Sequence, residues 1–120
     1  MAVINDILFA FSDEARLRMA LLLEGSALCV NCLVKVLDMP QPTVSRHLAI
    51  LKRTGVVATK RDGLYSYYSL SKEGSFGALG KRLVRIYGRE LAKVKPFMDD
   101  RERLEELSRV CAADCRTGIK

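Results

Sequence analysis

The sequence predicts a mainly α-helical fold that carries one β-hairpin, and three observations make the case. Residues 39–55, MPQPTVSRHLAILKRTG, read as a turn followed by an amphipathic helix. Helical periodicity also runs through the segments before that stretch and through those beyond residue 75. Residues 56–70 then change to strand-forming runs, VVATKR and YSYYSL, joined across Asp62-Gly63, a strong short hairpin signal.

Taken in order, residues 2–11 are apolar, with Ile4, Ile7, Leu8 and Phe11 at helical spacing. Ser12 is the expected N-cap of the next helix, about 13–24. Asp13 and Glu14 place negative charge at its positive end. Arg16 and Arg18 alternate there with Leu17, Ala20, Leu21 and Leu22, so this helix is expected to be largely buried, and Glu24-Gly25-Ser26 closes it. A short helix of about 29–37 turns Leu33, Val36 and Leu37 inward and leads through Asp38 and Pro40 into the central stretch. Gln41 sits just before the start of that central helix and Pro42 suits its first turn, where a missing N–H costs nothing. Val44, Leu48 and Leu51 recur at i, i+4 and i+7, and Gly55 is placed to end it. Helix, tight turn, helix and hairpin together make a winged helix-turn-helix. Beyond the hairpin, Phe76, Leu79, Leu83, Ile86 and Leu91 form a stripe up to Val94, Pro96 interrupts it, and a last helix covers about 97–111. The expected organisation is one domain over 1–120, with a core of about 12–70. Terminal helices of about 2–11 and 75–113 are assigned to homodimerisation, because a core of this size covers only one side of them.

Composition narrows the class. A chain of 120 residues, 49% hydrophobic and 28% charged, is globular, not disordered or membrane-spanning. No apolar run approaches a membrane span and no signal peptide opens the chain, so a cytoplasmic location is expected. The net charge of +6 is unevenly spread. Between Asp38 and Asp62 there is no acid, whereas Arg46, Lys52, Arg53, Lys60 and Arg61 all fall there. Asp99, Asp100, Glu102, Glu105 and Glu106 gather near the C-terminus. A basic middle suits a polyanion, and the acidic end suits something else. On the central helix, Gln41, Thr43, Ser45, Arg46 and His47, followed by Lys52, offer amide, hydroxyl and guanidinium groups to base edges and phosphates of double-stranded DNA. Lys60 and Arg61 at the hairpin tip are placed for phosphate. Tyr65, Tyr67 and Tyr68 are expected to pack the sheet.

All four cysteines fall in two close pairs, Cys29 with Cys32 at i, i+3 and Cys111 with Cys115 at i, i+4. In a cytoplasmic chain such pairs point to metal binding or redox chemistry more than to structural disulfides.

Residues 5–70 resemble the ArsR/SmtB family of metal-responsive winged-helix repressors. RLRMALLL, LCVNCL, QPTVSRHLAILKRTGVV and the wing RDGLYSYYSL carry the resemblance. It implies a homodimeric repressor that binds an inverted-repeat operator and releases it when an inducer binds. It also sets Gln41, Thr43, Ser45, Arg46 and His47 against DNA. The arsenic-sensing branch usually reads LCVCDL; here Cys29 matches its first cysteine, Asn31 replaces the second, and Cys32 follows one residue later.

The inducer follows from the donors. His47 is the only histidine and lies on the DNA-facing helix, so sulfur dominates, and soft thiolates select soft ions. Arsenite or antimonite, held by Cys29, Cys32, Cys111 and Cys115 in some combination, is the first expectation. Cadmium or lead on four thiolates is the second, and a thiol–disulfide switch of Cys29 with Cys32 the third. No organic cofactor is expected. The alternative of another class is a small thiol reductase using Cys29 and Cys32. Against an enzyme, a redox CxxC normally follows a strand of a βαβ unit, and helices are expected on both sides here.

Overall fold

The computed structural model describes residues 2–73 and 77–110. In chain order the elements are α1 (Ala2–Ala10), α2 (Glu14–Leu22), β1 (Leu28–Cys29), α3 (Val30–Leu37) and α4 (Gln41–Arg53). The hairpin strands β2 (Val57–Asp62) and β3 (Tyr65–Leu70) follow, then α5 (Gly77–Leu91) and α6 (Phe97–Val110). The architecture is the mainly helical winged helix-turn-helix that the pattern predicts.

Local chemistry sets the joints, and several differ by a residue from expectation. Asp13, not Ser12, caps α2: its carboxylate accepts the Ala15 N–H at 2.8 Å. The Ser12 hydroxyl instead donates to the Phe9 carbonyl at 2.7 Å and closes α1. Helix α4 starts one residue early, with Pro40 as N-cap, Gln41 as the first helical residue and Pro42 in the first turn. Its end is a Schellman motif: Val56 N–H bonds Leu51 C=O, Gly55 N–H bonds Lys52 C=O, and Gly55 takes φ +85°. The hairpin loop is Gly63-Leu64, because Asp62 still pairs with Tyr65. Only glycine of the two has positive φ (+63°), which is the requirement of a type II′ turn.

The two-residue strand β1 has no periodic signal in the sequence. It pairs antiparallel with β3, Leu28 opposite Tyr68 and Cys29 opposite Tyr67, giving the sheet order β1-β3-β2. The helix expected from residue 29 therefore begins at Val30, and Cys29 is a strand residue that serves as its N-cap.

Met19, Leu23, Leu28, Leu33, Val36, Val44, Leu48, Leu51, Val56 and Val84 are fully buried and join α2, α3, α4, the sheet and α5 in one core. The inward stripe Val44, Leu48, Leu51 of α4 is as predicted. The acidic C-terminal cluster is not wholly a surface feature. Asp100 is buried and accepts two hydrogen bonds from Arg18 of α2, both of 2.7 Å. Arg103 adds a bond to the Val36 carbonyl at 3.1 Å. These contacts fold α6 back on α2 and α3 of its own chain. The hydrogen bond to Asp100 raises the Arg18 pKa against the opposing effect of burial. Phe76, expected in the helical stripe after the hairpin, lies outside the described residues. Among those residues no helix is long and apolar enough to cross a membrane.

Candidate nucleic-acid interface and cysteine corner

Helix α4 has its apolar stripe in the core, so its polar residues lie along the outer side. Gln41, Ser45, Arg46 and Lys52 are exposed, while Thr43 and His47 are half-buried. Lys60 and Arg61 are exposed on β2 just before the hairpin loop, and the Arg61 Nε lies 3.4 Å from the Gly63 carbonyl it faces as donor. At the loop itself Leu64 is 91% exposed. Helix face and hairpin tip thus present side chains without an acidic residue until Asp62. Tyr67 is buried and Tyr65 and Tyr68 are half-buried, with the Tyr65 and Tyr67 rings 6.4 Å apart, as sheet packing requires.

The sequence reading assigned no such role to Arg16. This buried residue of α2 donates from Nε to the Ala10 carbonyl at 2.9 Å and from Nη2 to the Phe9 carbonyl at 3.1 Å. Its guanidinium lies 5.1 Å from the Phe9 ring centre. Its Nη1 reaches the His47 Nδ1 at 3.4 Å. Arg16 therefore ties the end of α1 to α4. A guanidinium only donates, so the ring nitrogen is the acceptor in this contact. Of the predicted reading residues, His47 is thus also a contact between helices. No local pattern announces this, because the link spans 31 positions.

Cys29 and Cys32 come together as the i, i+3 spacing predicts, with sulfurs 3.5 Å apart, and both are buried. Cys32 is disulfide-bonded. Cys111 and Cys115 lie outside the described residues. Among the described residues no group of three or more His, Cys, Asp or Glu side chains is arranged to hold a metal ion. A two-residue strand does lead into the CxxC and includes Cys29, contrary to expectation. It pairs antiparallel with β3, however, and among the described residues no βαβ unit surrounds it.

The position of this pair explains its reach. Cys29 sits in the sheet opposite Tyr67 of the hairpin, and Cys32 sits in the first turn of α3, which packs against α4. One corner of the core therefore touches both parts of the candidate DNA surface.

Residues 13–59 match the model of the bacterial regulatory protein, arsR family. An uncharacterized HTH-type transcriptional regulator of Methanocaldococcus jannaschii, MJ1325, is 41% identical over 64 residues, covering 52% of this chain and 72% of the relative. The arsenical resistance operon repressor of Escherichia coli K12 is 44% identical over 61 residues, 50% of this chain and 52% of the relative. A cadmium resistance transcriptional regulatory protein CadC homolog of Staphylococcus aureus is 38% identical over 66 residues, 53% of this chain and 54% of the relative. The match thus spans about half the length of the two metal-resistance relatives. Among solved structures, HlyU from Vibrio cholerae superposes with a TM-score of 0.67 at 29% identity, covering 74% of this chain and 91% of that one. The homodimeric winged helix-turn-helix DNA-binding domain of Mb0332 from Mycobacterium bovis, a possible ArsR-family regulator, gives 0.61 at 26% identity, covering 73% and 80%.

Proposed function

The chain belongs to the arsR family of bacterial regulatory proteins, and from that premise we propose that it represses transcription as a homodimer on an inverted-repeat operator and is released by trivalent arsenic or antimony. Its family and structural neighbours are transcriptional regulators and not enzymes, which sets the thiol-reductase alternative aside. In this reading Gln41, Thr43, Ser45, Arg46 and His47 meet the major groove, and Lys52, Lys60 and Arg61 meet phosphates. Acting on DNA places the protein in the cytoplasm.

Exposed Leu8 and Phe9 on α1 and Leu79 and Ile86 on α5 support the dimer, because a second copy would remove them from water. A twofold pair would set two α4 helices about one DNA turn apart.

The observation that carries the inducer is the 3.5 Å separation of the Cys29 and Cys32 sulfurs. At that separation one soft ion can bond both sulfurs at once. Cys32 must be reduced to take part. Each thiol then gives its proton to a hydroxide of arsenous acid, which leaves as water as the As–S bond forms. Cys111 or Cys115 is the candidate third sulfur.

Because both thiols are buried, the ion reaches them only as the corner between β1 and α3 opens. Opening disturbs the pairing of β1 with β3 and the packing of α3 on α4. The ion therefore favours a state in which hairpin and helix are misaligned for DNA, and release follows from differential affinity.

A second reading, a thiol–disulfide switch of Cys29 with Cys32, has one observation in its favour: their sulfurs lie 3.5 Å apart. Cadmium or lead on four thiolates is the third, supported by the cadmium-resistance relative. Operator binding followed by fluorescence anisotropy separates them, with reduced protein titrated in turn with arsenite, antimonite, cadmium, zinc and diamide. Release by arsenite or antimonite alone is the expected result. Release by cadmium alone moves the site to four thiolates, and release by diamide alone makes it a redox switch. Absence of specific, salt-dependent binding overturns the repressor reading.

A further inference from the structure

At the end of β3 remote from the hairpin tip lies a cavity of about 440 Å³ that neither the reading face nor the cysteines use. Its walls are the turn between α2 and β1, the end of β3 with Lys72, and Lys81 and Arg85 of α5. Its volume falls in the range of small-molecule sites, roughly 300–1,000 Å³. Leu23 and Leu70 form an apolar floor, and Ser26 and Ser69 add hydroxyls. Three cations, Lys72, Lys81 and Arg85, stand at the rim against one carboxylate, Glu24, and none of the three has an ion pair among the described residues.

Lys81 and Arg85 are i, i+4 neighbours of like charge, an arrangement that costs a helix stability unless an anion lies between them. The exposed apolar residues of the same helix, Leu79 and Ile86, lie roughly 100° or more around the axis from both cations. A second copy seated on that apolar side leaves the cavity open. Ala27 of its wall leads directly into β1 and Cys29, and Ser69 pairs with Ala58 in the hairpin, so an occupant touches the sheet that joins thiols and wing.

We infer that this cavity is a second ligand site, for a small organic anion whose carboxylate or phosphate meets Lys72, Lys81 and Arg85 and whose apolar body rests on Leu23 and Leu70. The inference is independent of the operator and of the thiol chemistry, and its test measures binding alone.

Calorimetric titration of the reduced full chain with benzoate, phenyl phosphate and inorganic phosphate tests it. At least one aromatic anion binds more tightly than inorganic phosphate, and whichever of the two binds better identifies the head group. The double variant Lys81→Glu/Arg85→Glu weakens that binding by about tenfold or more, because two charge-assisted contacts become repulsive. Lys93→Glu/Lys95→Glu, the same charge change outside the lining, leaves it unchanged. Ala27→Leu, which fills the space and alters no charge, weakens it too, with circular dichroism confirming that each variant is folded. Three results overturn the site: no binding of either aromatic anion, equal losses in both charge-reversal variants, or inorganic phosphate binding as tightly as the aromatic probes.

Discussion

The reading face and the cysteine corner solve opposite problems with the same scaffold. On α4 the polar residues Gln41, Ser45 and Arg46 are exposed while Val44, Leu48 and Leu51 anchor the helix, so the proposed recognition and the folding use different atoms. At the corner, Cys29 and Cys32 are core residues themselves, one in the sheet and one in α3. Whatever binds their sulfurs must disturb packing. The proposed DNA surface can thus be altered without unfolding, whereas the proposed ion-sensing pair cannot act without a local structural change.

That contrast can be broken or sharpened at several positions. The largest effect is expected in the scaffold both regions share: Asp100→Asn leaves Arg18 without its charged partner and lowers stability by about 3–5 kcal/mol in urea unfolding. The Arg18 pKa is raised in the fold, so the charge of Arg18 stabilises fully below the ordinary arginine range and is lost only above it. The stability gap between wild type and variant should therefore stay constant from neutral to moderately alkaline pH. Leu48→Ala follows, at about 2–4 kcal/mol, for the cavity it opens beneath the reading face. In reduced protein, Cys32→Ser buries a hydroxyl in place of a thiol and is expected to cost about 1–2 kcal/mol as well as the ion response, the joint loss that marks the corner. Gly55→Ala meets no neighbour but forces a side chain to φ +85°, about 1 kcal/mol in thermal unfolding. Smallest in stability is Arg46→Ala: the unfolding midpoint stays put, while operator affinity falls and the salt slope drops by about one.

Much of the reading face was legible because each part of it is local. The i, i+4, i+7 stripe of Val44, Leu48 and Leu51, the stop at Gly55 and the hairpin around Gly63 are encoded within a few residues. The spacing of Cys29 and Cys32 likewise foretold their approach. What escaped was long-range. The strand β1 is two residues long and exists only because β3 pairs with it. The interior place of Asp100 depends on Arg18, 82 positions away, and the tie between Arg16 and His47 spans the turn between two helices and more. Side-chain chemistry marks such residues as polar, but only the tertiary fold decides which of them are covered. The off-by-one helix starts have a simpler origin: Asp13 and Ser12 are both good caps, and Pro40 can hold the N-cap position as readily as Gln41.

The most direct test of the coupling between the two regions is arsenite titration of operator-bound protein, wild type beside Cys29→Ser/Cys32→Ser, under reducing conditions. The expected result is release of the wild type and retention of DNA by the variant, with equal starting affinities because the reading face is untouched. Full arsenite response in the doubly substituted protein would contradict the role given to the buried cysteine corner.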